Sequence, residues 1–120
     1  MKTSSAKAKG RRASQQVRQL LLKFAPHLKP DDVRVTPSGV TGEDVQLSPL
    51  ARESYPFAIE CKNVEKLNIW AAIEQAKSHV GDAEYFPQLY FTRNRAKLYM
   101  CMEAKHFFHY IELVKEGLNG

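Results

Sequence analysis

The chain has 120 residues, 43% hydrophobic and 26% charged, enough for one modest core and unlike a disordered composition. No apolar run reaches the length of a membrane span, and no apolar segment follows the basic N-terminus as a secretory signal would require. The two cysteines, Cys61 and Cys101, form no Cys-x-x-Cys pair, which argues against a disulfide framework or structural zinc and for a reducing, cytoplasmic setting. The net charge of +5 is local: residues 1–30 carry eight basic and no acidic side chains, whereas the other 90 carry a net of −3. Such a segment suits phosphate contact by counterion release, and equally a solubilising tail.

Residues 1–10 are small, polar and basic, and are expected to form a flexible arm ahead of a single domain at residues 11–120. From about residue 12 to 25, Val17, Leu20, Leu21 and Phe24 recur at i, i+3, i+4 and i+7. This spacing predicts an amphipathic helix with Arg11, Arg18 and Lys23 toward solvent, ended by Pro26 and Pro30. Asp31-Asp32 open a turn, residues 33–36 read as a short strand, and Pro37-Ser38-Gly39 as another turn. Residues 42–47 alternate, with Val45 and Leu47 inward and Asp44 and Gln46 on the opposite face; Ser48-Pro49 closes that strand and residues 50–55 connect. The strand at 57–62 puts Phe57, Ile59 and Cys61 on one face and Ala58, Glu60 and Lys62 on the other. Three strands with short links predict an antiparallel meander.

Asn68 is the expected N-cap of a helix at 69–80 with Ile69, Ala72, Ile73, Ala76 and Val80 as its apolar stripe and Gly81 as its stop. A strand at 88–92, a turn at Arg93-Asn94-Arg95 and a strand at 97–102 follow. The last helix is expected at about 104–115, with Phe107, Tyr110, Ile111 and Val114 as its stripe and Gly117 as its C-cap. A helix joining the strands at 57–62 and 88–92 is a crossover, so those two should run parallel. The predicted class is α/β, a mixed central sheet flanked by helices.

Glu60 and Lys62 alone would read as an ion pair on a half-exposed strand. Asp44 on the preceding strand can meet both at one end of the sheet. Two close carboxylates repel unless a proton or cation lies between them. Mg2+ suits such a place, since it takes hard oxygen ligands from one or two carboxylates, water and a substrate phosphate. The expected ligands are Asp44, Glu60 and the backbone carbonyl of Cys61, with Mn2+ able to substitute. Lys62, beside the metal, would orient an attacking water or stabilise charge on phosphorus.

Gly42-Glu43-Asp44-Val45, followed by Pro56-Phe57-Ala58-Ile59-Glu60-Cys61-Lys62-Asn63, resembles the PD-(D/E)xK nuclease superfamily over roughly residues 10–102. The nearest likeness is to its small phage-type and Holliday-junction-resolvase-like members. The resemblance implies a restriction-endonuclease-like α-β-β-β-α-β core, here extended by a strand and a C-terminal helix. It implies Asp44 and Glu60 as metal ligands, Lys62 as catalytic, and branched DNA as the substrate. It also implies a site-facing glutamine on the second helix, which Gln75 would provide. Two departures stand out. Glu43 occupies the place of the motif's proline, which makes it a rival ligand, although alternation turns it away from the Gln46 face. The first helix has no acidic residue, so Gln15 or Gln16 would replace the glutamate that many members place there, with weaker metal binding or a single metal.

Arg93, Arg95 and Lys97 form a basic hairpin and, with Lys9, Arg11, Arg12 and Arg18, are the expected DNA-backbone contacts. His106 and His109 stand at i, i+3 without a third ligand and read as surface or interface histidines. Trp70, Tyr85, Phe86, Tyr90 and Tyr99 could stack on bases, but core or dimer packing suits them better. Ser48, Ser54 and His79 lack the spacing of a Ser-His hydrolase. The expected function is a Mg2+-dependent DNA endonuclease, structure-specific on branched DNA and free of membranes, acting as a homodimer because two strands are cut. Two rivals stand beside it: a nuclease for single-stranded, nicked or flap DNA, and a non-catalytic nucleic-acid-binding module of the same fold.

Overall fold

A computed structural model describes residues 2–80 and 84–119. The elements are α1 (Lys2–Phe24), a 3-10 turn (Pro30–Asp32), β1 (Val33–Val35), β2 (Val45–Leu47), α2 (Pro49–Ser54), β3 (Phe57–Asn63), α3 (Ile69–Ser78), β4 (Phe86–Thr92), β5 (Tyr99–Cys101) and α4 (Ala104–Asn119). They build an open five-stranded mixed sheet in the order β1-β2-β3-β4-β5, flanked by helices. The expected meander is present: Val33 pairs with Leu47 and Val45 with Ile59, both antiparallel. The crossover through α3 makes β3 and β4 parallel, in register from Phe57↔Phe86 to Asn63↔Thr92, and β5 returns antiparallel. Among the described residues no helix is long and apolar enough to cross a membrane.

β3 is the spine. Phe57, Ala58, Ile59, Glu60 and Cys61 are all buried. Phe57, Ile59 and Cys61 share a core with Ala13, Val17 and Leu21 of α1. The opposite parity, Ala58 and Glu60, faces the α3 side, where Ala72 and Ala76 are buried. On α1 the buried stripe runs Ala13, Val17, Leu21 and Ala25, with Ser14 beside it, whereas Leu20 and Phe24, expected inside, are 42% and 71% exposed. The 3.6-residue period marks an apolar side but not its contact edge, and here a small-residue edge lets the helix approach the sheet.

Several boundaries differ from the sequence expectation. α1 begins at Lys2, so the segment expected as a flexible arm continues the helix; its alanines and lysines are good helix formers. Residues 49–54, expected as a plain connection, form α2, capped by the Ser48 hydroxyl, which accepts from Ala51 N–H at 3.1 Å, with Pro49 at the first helical position. Asn68 caps α3 as expected, accepting from Ala71 N–H at 3.1 Å, but the helix ends at Ser78 with His79 as its C-cap. Gly81, the expected stop, lies outside the described residues. α4 passes through Gly117 rather than ending there, and Phe107 and Val114 of its expected stripe are 44% and 40% exposed.

Candidate active site

The site begins where β2 leaves the ladder. Gly42 has φ 111°, a conformation that glycine adopts without a Cβ clash, and turns the chain into β2. Asp44 N–H then donates to the Ile59 carbonyl at 2.9 Å, one residue out of the Val45↔Ile59 register, so that Asp44 and Val45 face one residue of β3 as in a β-bulge. The Asp44 carboxylate accepts the Cys61 N–H at 2.7 Å. The Cys61 carbonyl leaves the strand on the same side as that N–H. Glu43, the rival ligand, is held elsewhere. Both its oxygens accept from Arg52 Nη2, at 3.0 and 2.9 Å, and Arg52 also donates to the Phe57 carbonyl and lies over the Tyr85 ring.

Glu60 is 3% exposed and has three charged or titratable neighbours. Lys62 Nζ lies 3.9 Å from one carboxylate oxygen, and His79 Nδ1 lies 2.7 Å from the other. Asp44 is the third. Burial, then the charge of Asp44 and a hydrogen bond to its carboxylate, push the Glu60 carboxyl up to about 7, against the opposing pull of His79. Glu60 thus has Asp44 and Lys62 as neighbours. His79 was missed, yet it had a signal: Ala72, Ala76 and His79 fall at i, i+4 and i+7, so it extends the inner stripe of α3. A histidine at a helix C-terminus also meets the negative end of the helix dipole.

The donors suit a small hard cation. Two carboxylates stand together, one of them driven toward protonation. Among the described residues, no three His, Cys, Asp or Glu side chains cluster so as to hold a metal ion by themselves. Asp44, Glu60 and the Cys61 carbonyl could hold an ion that takes few protein oxygens and fills its other positions with water and substrate, as Mg2+ does. His79 would orient Glu60 from behind. The Cys61 thiol is no part of this set: it faces the α1 core beside Ser14, and burial pushes it up to about 12.

Around Asp44 lies a cleft of about 170 Å³ between the first half of α1 and the turn after β1, lined by Lys7, Arg11, Ser14, Thr36 and Ser38. Arg11 reaches across it, donating to the Ser38 hydroxyl at 3.1 Å. Asn63 donates to the Lys9 carbonyl at 3.0 Å and ties α1 to the end of β3. Gln15 and Gln16 are exposed and do not line this cleft; Ser14 is the polar residue that α1 places there. Arg12 is exposed, but Arg18 is engaged by the protein, donating to the carbonyls of Val33 at 2.6 Å and Pro30 at 3.0 Å. Arg93, Arg95 and Lys97 are exposed just past Thr92, the register partner of Asn63, so the hairpin emerges at the Lys62 end of the sheet. Gln75 is exposed one turn before His79. His106 and His109 pack on the Phe86 ring, with centroids 5.2 and 5.3 Å away. Trp70 and Tyr99 are exposed, while Phe86 is buried. Compared with protein-family models, curated proteins and solved structures, the chain matches none.

Proposed function

We propose that the chain is a Mg2+-dependent DNA endonuclease of the PD-(D/E)xK type, with a restriction-endonuclease-like fold, that hydrolyses phosphodiester bonds in branched DNA. One observation supports this reading: Glu60 lies against Asp44 and pairs with Lys62 at 3.9 Å, and Asp44 lines a basic cleft beneath α1. Asp44, Glu60 and the Cys61 carbonyl would hold the metal, with Mn2+ able to replace Mg2+. When bound, the cation supplies charge neutralisation and a water acidic enough to act near neutral pH. Lys62 donates toward the scissile phosphate or its attacking water, with Glu60 keeping its ammonium in place. His79 holds the second oxygen of Glu60 and so fixes the carboxylate plane. Lys7 and Arg11 grip the phosphates entering the cleft, and the hairpin at 93–97 grips those leaving it. A homodimer supplies two such sites for two strands.

A second reading, a nucleic-acid-binding module without cleavage, draws on the neutral Ser14 standing where a third carboxylate would strengthen the metal site. One experiment separates the two. Four-way junction, linear duplex, nicked, flap and single-stranded DNA are incubated with Mg2+, Mn2+ or chelator, beside Lys62→Ala. Metal-dependent cleavage of the junction that is lost in Lys62→Ala is expected. Cleavage of flap or single-stranded DNA alone would move the substrate class, and tight binding without cleavage in either metal would favour the module.

A further inference from the structure

Lys62 stands in line with two aromatic rings. It pairs with Phe91 on β4, and Phe91 pairs with Tyr99 on β5. Register partners share a face, so the three side chains form one row across three strands, on the face that also carries Glu60. At ordinary strand spacing the row is roughly 10 Å long. The Phe91 and Tyr99 rings stack with centroids 6.1 Å apart and an interplanar angle of 27°. Tyr99 is nonetheless 58% exposed. The two rings, Val64 and Leu67 of the connector between β3 and α3, and the basic Lys66 and Arg93 line a cleft of about 480 Å³. That volume falls in the range of roughly 300–1,000 Å³ that holds small ligands. The cleft's one acidic residue, Glu65, is engaged by the hairpin: its carboxylate accepts the Asn94 N–H at 3.0 Å. The Thr92 hydroxyl donates to the Lys97 carbonyl at 3.0 Å, which holds the hairpin closed beside the rings.

We propose that this cleft holds one unpaired nucleotide of the DNA, with its base on the Tyr99 ring and its phosphate beside Arg93. An exposed aromatic face set among cations matches a nucleotide at both ends: the ring takes the base, and the cations take the phosphates. A stacked strand advances about 3.4 Å per nucleotide, so the row places this nucleotide within about three of the phosphate at Lys62. With Lys62 serving DNA hydrolysis, on which this site rests, the cleft narrows the preferred branch point to one with a nucleotide free of its partner. A fully paired arm brings no base to Tyr99 without first unstacking it, at a cost of a few kcal/mol. Every base has a π face, so the cleft selects DNA structure rather than sequence.

The test is DNA binding by the full chain, read by fluorescence anisotropy in chelator so that cleavage plays no part. A fully paired four-way junction is compared with the same junction carrying one unpaired thymidine at the branch point, and with one carrying an abasic residue there. The unpaired thymidine is expected to tighten binding by about five- to a hundredfold, as one base stacked on an aromatic ring does, and the abasic residue to add none of that gain. This comparison needs only the wild type. Tyr99→Ala should erase the gain and Tyr99→Phe should keep it, and neither should alter the salt slope, because the ring releases no counterion. Equal affinity for the three junctions, a gain that the abasic residue reproduces, or one that survives Tyr99→Ala would each overturn the nucleotide site and leave the nuclease reading standing. Failure to bind any of the junctions would overturn both.

Discussion

Glu60 shows how one side chain takes its chemistry from its neighbours. In the fold it keeps its proton up to about pH 7, whereas unfolded it returns to an ordinary value near 4.5. Between these values the native state binds more protons than the unfolded chain, so stability must fall as pH rises through that window. In chelator, urea unfolding should show a loss of roughly 1–3 kcal/mol from pH 5 to pH 8 that Glu60→Gln flattens; an unchanged slope in the variant would mean that another group is responsible. His79 belongs to the same scale. His79→Ala should weaken Mg2+ dependence of cleavage by about 10–100-fold, as loss of an outer-shell partner does, with partial rescue by His79→Gln. A Mg2+-dependent shift in melting temperature reads the same loss without catalysis. An unaltered Mg2+ titration would leave His79 as a helix cap only. Glu60 and Lys62 were legible as strand neighbours; His79, 19 positions from Glu60, became a partner only when the crossover folded α3 over β3.

The elements show where local patterns are sufficient. Alternation placed Ile59 and Glu60 on opposite faces of β3, and the Asn68 cap and the crossover gave α3 and the parallel pair, because these are short-range rules. α2 escaped notice although Ser48-Pro49 carries both of its start signals. Leu20 and Phe24 were misplaced because periodicity is blind to which edge of a stripe the sheet will accept. Two arginines of α1 separate by the same logic. Arg18→Ala should cost about 1–2 kcal/mol of stability, since Val33 and Pro30 lose a charged donor, and should leave the salt slope of DNA binding unchanged. Arg11→Ala should do the reverse, lowering the slope by about one with stability within about 0.5 kcal/mol. Denaturant melts and salt titrations of the pair would expose an exchange of these roles.

For the molecule as a whole, topology gathers the site at one end. β2 begins there and β3 and β4 both finish there, so Asp44, Lys62 and the hairpin at 93–97 come together from distant segments. Neutralising Arg93, Arg95 and Lys97 together should reduce the salt slope of binding by about two to three, additively with Arg11→Ala. A slope that changes with the hairpin but not with Arg11 would confine the DNA to one side of the sheet. By itself the sequence determined the α/β class, the meander and the carboxylates worth watching, because period, caps and crossover handedness are written in consecutive residues. Only the tertiary structure decided that Glu43 goes to Arg52 while Asp44 goes to Cys61 and Glu60, that His79 holds the second Glu60 oxygen, and that Phe91 and Tyr99 stand in line with Lys62. Each of those depends on which surfaces distant elements bury against each other, and no local rule contains that.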